Sequence, residues 1–244
     1  MTFDIARNDG APHHPAPLHV LQSCQAPAPR PATLVEHLAQ LREFGTRSSF
    51  ARNAAIFHEG DPARHIYLIV SGTVRLCRHT PDGRRHIAEF ALAGDLCGVF
   101  GGGVQSFTAE AITDVTVIAY PRAQFDRLSE RDPGFRANML AHLSTHLLSA
   151  QLHTFVLGCQ NAKERLASFL IRLARRTGTL RSGRIELAMG RQDIADHLGL
   201  TIETICRAIT ALKNEGMLAV PGTHCLVLRN AEALGDLAEG NTLN

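Results

Sequence analysis

The stretch "RQDIADHLGLTIETICRAITALKNEG", residues 191–216, constrains this chain more than any other. Ile194, Ala195 and Leu198 fall on one face of a first short helix, and Ile205, Ile209 and Leu212 on one face of a second. Gly199 stands between them, where a sharp turn needs a left-handed residue and glycine supplies it at least cost. Thr201 follows with a hydroxyl placed to accept a backbone N–H of the second helix. Two helices packed through these faces leave residues 202, 203, 206, 207 and 210 pointing outward. That outward face carries an acid, a thiol and a base: Glu203, Cys206 and Arg207.

The flanking segments extend this unit. "AKERLASFLIRLARRTG" reads as an amphipathic helix ended by Gly178, "RIELAM" (184–189) as a strand, and "MLAVPGTHCLVLRN" as two strands around "PGTH". The order helix, strand, helix, turn, helix, hairpin predicts a winged helix-turn-helix over 160–232, with 233–244 as a C-terminal tail. Upstream, residues 47–120 are short β-like runs such as "HIYLIV", "GTVRLCRH" and "RHIAEFAL", split by "SG", "PDG" and "AGD". "TPDGRR" puts Pro and Gly where a tight hairpin needs them. Strands at such regular spacing predict a barrel or jelly roll, a β-roll domain over 32–134 with a helix at 33–44 on its edge. Between the two units, Leu140, Leu143, Leu147, Ala150, Thr154 and Leu157 are spaced 3, 4, 3, 4, 3, the seam of a long helix over 135–159 that pairs with another helix. The expected second helix is that of a second copy of the chain. The Pro- and Ala-rich residues 1–31 predict a disordered tail. The fold class is therefore α+β: β-roll, long helix, winged helix-turn-helix.

Composition adds exclusions. No apolar run approaches the roughly 20 residues a membrane helix needs. The N-terminus has Arg7 and His13–His14 but no apolar block, so a secretory signal is not expected and the cytoplasm is. The six Cys are then expected to be mainly reduced. Net charge is only +2, yet residues 160–215 hold ten Lys/Arg against six Asp/Glu, an excess of four that suits a polyanionic partner. No nucleophile–base–acid set or metal triad has recognisable spacing, so an enzyme is not expected.

The outward face of the second helix has the chemistry to read base edges. Arg207 can donate two hydrogen bonds to guanine O6 and N7, and Glu203 can accept from cytosine N4. Four positions apart, the two side chains also lie within reach of each other.

With these pieces in order, the chain resembles the Crp/Fnr family of transcription regulators. The resemblance covers about residues 34–230 and is carried by "EGDPARHIYLIVSGTVRL", "AGDLCG", "NAKERLASFLIRL" and "MGRQDIADHLGLTIETICRAI". It implies a cyclic-nucleotide-binding-type β-roll, a long dimerisation helix and a DNA-reading winged helix-turn-helix. "LTIETICR" is similar to the recognition helix of the Fnr and FixK branches, which implies a homodimer on a two-fold symmetric site of the type TTGAT-N4-ATCAA. Glu203 and Arg207 would then read the TGA part of each half-site. Arg191, Thr201, Ile202, Thr204 and Cys206 complete the expected DNA-contacting set, Cys206 standing where an Fnr-type protein carries Ser. The hairpin turn Asp82–Gly83–Arg84 is a candidate contact to RNA polymerase in an activator, since β-roll loops of the family touch that enzyme.

The controlling signal is less legible. A buried cyclic-nucleotide phosphate needs a cation and backbone donors. Gln105, Ser106 and Phe107 occupy the place of the family's Arg-Ser pair, so cyclic-nucleotide binding, as in a regulatory module of a signalling protein, is the weaker alternative. An iron–sulfur cluster needs four thiolates. Only Cys24 lies in the tail, the later family position is Ile118, and no C-x-x-C spacing supports a set with Cys77 and Cys97. Cys77, in a strand pattern, reads as a small buried hydrophobe. His142 and His146, four apart on the long helix with His153 following, leave haem or a metal as a further alternative, although helical His at such positions are expected to be solvated. No cofactor is assigned. Control through abundance, or through oxidation of Cys206, remains.

Overall fold

The computed structural model describes residues 36–38, 40–99 and 103–240. The expected tail with His13, His14, His19 and Cys24 lies outside the described residues, as do residues 241–244.

The β-roll is built from β1 (Thr46–Phe50), β2 (Ala55–Phe57), β3 (His65–Ser71), β4 (Val74–His79), β5 (Arg85–Ala91), β6 (Leu96–Cys97), β7 (Thr108–Ala111) and β8 (Val115–Pro121). Two antiparallel sheets result, in the orders β1-β8-β3-β6 and β2-β7-β4-β5. They close on Phe57, Ile69, Val74, Ala109, Ala111, Val115 and Val117, all buried. Alternation sets which side chains point inward: along β8, Val115 and Val117 are inside while Thr116 and Ile118 are partly exposed. The β3–β4 turn passes through Gly72 at φ +89°, where a Cβ would run into the Asp114 carbonyl. The "TPDGRR" turn joins β4 to β5 as expected, closed by the Thr80 N–H on the Arg84 carbonyl at 2.9 Å.

Helices α1 (Arg122–Arg131) and α2 (Pro133–Cys159) follow. Asp132 separates them by capping α2, its carboxylate accepting from the Gly134 and Phe135 amides at 2.8 and 3.0 Å, with Pro133 in the first turn where its missing N–H costs nothing. Asn161 and Glu164 form a capping box that starts α3 (Ala162–Arg176). Then come β9 (Arg184–Glu186), α4 (Arg191–Leu198), α5 (Ile202–Asn214), β10 (Leu218–Gly222), β11 (Cys225–Leu228) and α6 (Ala231–Ala238). The three strands make a small sheet in the order β10-β11-β9, which is the wing.

Three sequence-based boundaries shift. The helix expected at 33–44 shows helical residues at 36–38, then a turn and a 3-10 segment Arg42–Phe44; Leu38 and Leu41 still face the core. The strand expected over 184–189 pairs with β11 only at 184–186. The tail expected at 233–244 is corrected to helix over its first half. Asn230 caps α6 through the Ala233 amide at 2.9 Å, and Leu234 and Leu237, three apart, are buried in the same core as α3. No described helix is long and apolar enough to cross a membrane.

Candidate nucleic-acid interface

Helices α4 and α5 are held by the faces their sequence predicts. Ile194, Ala195, Leu198, Ile205 and Leu212 are fully buried and Ile209 nearly so, in one core with Leu166, Leu170 and Leu226. Gly199 ends α4 in the left-handed conformation, φ 62° and ψ 39°, and the Gly199 and Leu200 amides both return to the Ala195 carbonyl. A Cβ at Gly199 would meet only ordinary contacts, so backbone conformation, not space, requires glycine there. The Thr201 hydroxyl caps α5 by accepting from the Thr204 amide at 3.2 Å.

Burying one side of α5 exposes the other. Ile202, Glu203, Cys206, Arg207 and Thr210 are all exposed, the set that sequence periodicity places outward. The Glu203 carboxyl is held below its ordinary range, first by its own backbone N–H at the helix start, then by the Thr201 hydroxyl, with Arg207 adding to both. Contrary to expectation, Arg207 does not clasp Glu203. Its Nη2 donates to the Thr204 hydroxyl, one turn back on the same helix, at 3.2 Å. A neutral acceptor three residues away suits the short turn, and it leaves the Glu203 carboxylate free of a direct Arg207 contact. Cys206, Arg207, Thr210, Ala211 and Asn214 line an open hollow along this face.

Arg191 turns elsewhere. It opens α4, and its Nη2 donates to the Thr223 carbonyl in the wing turn at 3.3 Å, while its Nη1 is buried without a partner. Partial burial lowers its guanidinium pKa. Arg191 thus braces the wing against α4 at the edge of the reading face.

The basic excess of 160–215 is only in part a surface: Arg181, Arg184, Arg207 and Lys213 are exposed, while other basic side chains are held by partners. Arg165 donates to the carbonyls of Gln160, Leu198 and Leu157 at 2.8, 3.0 and 2.8 Å. Arg172 meets His197 at 2.8 Å, and Arg176 holds the Phe90 carbonyl at 2.9 Å and the Asp95 carboxylate. Lys163 is paired with Glu215 at 2.8 Å. A charge count cannot tell an inward arginine from an outward one.

The other candidate positions are accounted for as follows. Among the seam residues, Leu140, Leu147, Ala150 and Thr154 are exposed, whereas Leu143 and Leu157 are half-exposed. The exposed apolar stripe of α2 also takes in Leu148 and Phe155, which the 3,4 spacing misses. Asp82, Gly83 and Arg84 form an exposed turn, with Arg84 Nε on Asp82 at 2.8 Å. Gln105 is buried; its backbone N–H donates to the Asp61 backbone carbonyl and its backbone carbonyl accepts from the Gly60 N–H. A guanidinium does stand beside this loop, Arg122, but it is spent on the carbonyls of Ala63, Gly98 and Val99. Residues 100–102 of the loop lie outside those described. Cys77 and Cys97 are fully buried within the roll, and burial pushes the Cys77 thiol up to about 11.

The helical histidines are not solvated, as expected from sequence, but packed. His146 sits 3.6 Å from the Glu89 carboxylate, His142 lies against His146 with ring centres 4.4 Å apart, and His153 is buried flat against His197. The reason is that the helix-turn-helix unit folds back onto the roll and covers this side of α2. Among the described residues no three His, Cys, Asp or Glu side chains are gathered as metal ligands.

Comparison with known proteins bears on this arrangement. Residues 47–132 match the family described as Cyclic nucleotide-binding domain, and residues 164–237 the Crp-like helix-turn-helix domain. The nitrogen fixation regulation protein FixK of Azorhizobium caulinodans is 40% identical over 208 residues, covering 84% of this chain and 82% of that protein. The fumarate and nitrate reduction regulatory protein of Escherichia coli K12 is 36% identical over 220 residues, covering 88% and 87%. Among solved structures, FixK2 from Bradyrhizobium japonicum superposes with a TM-score of 0.75 at 36% identity, covering 79% of this chain and 96% of that one.

Proposed function

The chain belongs to the Crp/Fnr family of transcription regulators, its relatives are regulators and not enzymes, and on that footing we propose that it binds a two-fold symmetric DNA site of the form TTGAT-N4-ATCAA as a homodimer. The observation that carries this reading is the face of α5: every inward position is buried, and Glu203, Cys206 and Arg207 stand exposed in one patch with Thr201 and Thr204 fixing their start. In a major groove, Arg207 reaches guanine O6 and N7, and the Glu203 carboxylate accepts from cytosine N4. In this reading Ile202 supplies apolar contact to a thymine methyl, Thr201 and Thr204 contact phosphates at the start of α5, and Arg191 holds the wing beside them.

Pairing of two chains is supported by the stripe Leu140, Leu147, Leu148 and Phe155, large apolar side chains left in water on a single chain. The exposed turn Asp82–Gly83–Arg84 is the candidate surface for RNA polymerase, which would make the protein an activator acting in the cytoplasm. Independence from cyclic nucleotide is supported by the buried Gln105 in place of a cation and by Arg122, whose guanidinium is held by the Ala63, Gly98 and Val99 carbonyls. Redox control through Cys206 is supported by its exposure next to Arg207: oxidation by a peroxide, which leaves as water, adds oxygen to the sulfur and, past the sulfenic acid, negative charge facing phosphates.

A gel-shift on the TTGAT-N4-ATCAA duplex and a scrambled duplex, each with and without cyclic AMP, tests the reading. The symmetric duplex is retained at protein concentrations that leave the scrambled one free, regardless of cyclic AMP. Equal retention of both duplexes overturns the proposed site, and a shift that requires cyclic AMP overturns nucleotide independence.

A further inference from the structure

Helix α4 is eight residues long, and most of them are buried, because it packs on two sides. Ile194, Ala195 and Leu198 face α5 and the core. Asp193, Asp196 and His197, at spacing i, i+3, i+4, make a second face that the packing against α5 does not use. This face docks on the β-roll. The Asp193 carboxylate takes Arg75 Nη1 at 3.2 Å and Arg85 Nη2 at 2.6 Å, and Asp196 takes Arg85 Nε at 2.7 Å. Arg75 is anchored in turn by Glu110 at 2.7 Å. These side chains are 12–20% exposed, so the ions are largely withdrawn from water and each needs its partner. His197 is the neighbouring joint. Its Nδ1 lies 2.9 Å from the Ile87 carbonyl of β5, its Nε2 2.8 Å from Arg172 of α3, and its ring stacks on His153 of α2 at 4.2 Å and 7°.

One face of α4 is therefore bound to the roll, to the long helix and to α3 at once, while the reading face of α5 stays open. The docking does not cover Glu203, Cys206 or Arg207, so it is not an occluding contact. What it fixes is the direction of α5 relative to α2. A dimer reading two half-sites needs its two reading helices one turn of DNA apart, about 34 Å. If α2 carries the dimer contact, the orientation of α5 on α2 sets that spacing.

We propose that Asp193, Asp196 and His197, with Arg75 and Arg85 of the roll, are positioning residues for DNA recognition: they touch no DNA but set the separation of the two reading helices. This rests on the reading of the chain as a dimeric DNA-binding protein. Loss of the clasp lets the reading unit swing, and the competent orientation becomes one of several, which reduces apparent affinity by its fractional population.

The test uses the full chain and three duplexes: the N4 site, the same half-sites with one base pair added to the spacer, and a single half-site. Asp196 and Arg85 are the pair to change, because Asp193 also caps α4 through the Gly190 amide. Arg85→Glu is expected to weaken binding to the N4 site by about ten-fold, to shrink its preference over the longer spacer, and to leave half-site binding unchanged. Combining Arg85→Glu with Asp196→Arg restores both affinity and spacer preference, which a variant that merely misfolded would not do. Unchanged binding of Arg85→Glu to the N4 site, an equal loss on the half-site, or no rescue by the swap overturns the positioning role alone. A wild-type chain indifferent to the symmetric site overturns this role together with the DNA reading on which it rests.

Discussion

At the scale of single residues, the reading face shows how local hydrogen bonds prepare side chains for a partner. The Thr201 hydroxyl caps α5, and Arg207 rests on the Thr204 hydroxyl, leaving the Glu203 carboxylate free of Arg207. Cys206 between them is exposed, and its chemistry is separable from its shape. Cys206→Ser is expected to keep DNA binding and to remove the peroxide sensitivity proposed for the wild-type chain. The check is a gel-shift before and after peroxide treatment; if the Ser variant loses binding to peroxide as the wild type does, Cys206 is not the switch. Residue identities on this face were legible in the sequence because helical periodicity and Gly199 fix which side of α5 is wet. The Arg207–Thr204 contact was not, because at i, i+3 and i, i+4 an arginine finds two acceptors and rotamers decide between them.

At the scale of elements, the long helix α2 is the instructive case. Its existence and extent follow from the sequence: the apolar repeat predicts a helix over 135–159, and Pro133–Cys159 is found, the start moved by the Asp132 cap and Pro133. The face is less well predicted. A 3,4 pattern names Leu143 and Leu157, which are half-exposed, and omits Leu148 and Phe155, which are exposed. The periodicity counts every apolar residue, whereas α2 has two apolar duties, toward its own domains and away from them. Pairing through the outward stripe makes a definite expectation. Leu147→Glu combined with Phe155→Glu yields a monomer by light scattering at concentrations where the wild type is a dimer, with helix content by circular dichroism unchanged. A dimer that persists in the double variant refutes this stripe as the contact. The seventy-odd residues of the wing unit were similarly legible in order, and α6 was missed because its eight residues carry only two buried leucines.

At the scale of the whole molecule, the roll and the reading unit share one continuous core: Cys77, Ile87 and Phe90 of the roll are buried with Leu166, Ile194 and Ile205. Such long-range docking leaves no periodic signal, which is why the packed histidines and inward arginines escaped sequence reading. It has a pH consequence. Burial, with Arg172 and more weakly His86 and Arg165 nearby, lowers His153 to about 4, and burial with Arg172 and His153 lowers His197 as well. A histidine depressed on folding binds its proton better when unfolded. Its stabilising share is complete above the unfolded value near 6.5 and is lost as pH falls from there toward about 4 for His153. His146 has the opposite sign, since Glu89 raises its pKa and its share fades as pH rises. The comparison that isolates His153 is urea unfolding of wild type and His153→Phe between pH 7.5 and 5: the wild type loses more stability over that interval than the variant. Equal losses would mean His153 is not buried neutral in the folded chain.

The central claim is that Arg207 reads guanine in a symmetric site. Its most direct measurement is a cycle of dissociation constants: wild type and Arg207→Ala, each on the TTGAT-N4-ATCAA duplex and on one whose two G·C pairs are replaced by A·T. Removing the arginine costs about 1–3 kcal/mol on the intact site and little on the altered one, so the two changes are strongly non-additive. An equal loss on both duplexes would show a contact to the backbone and contradict the account.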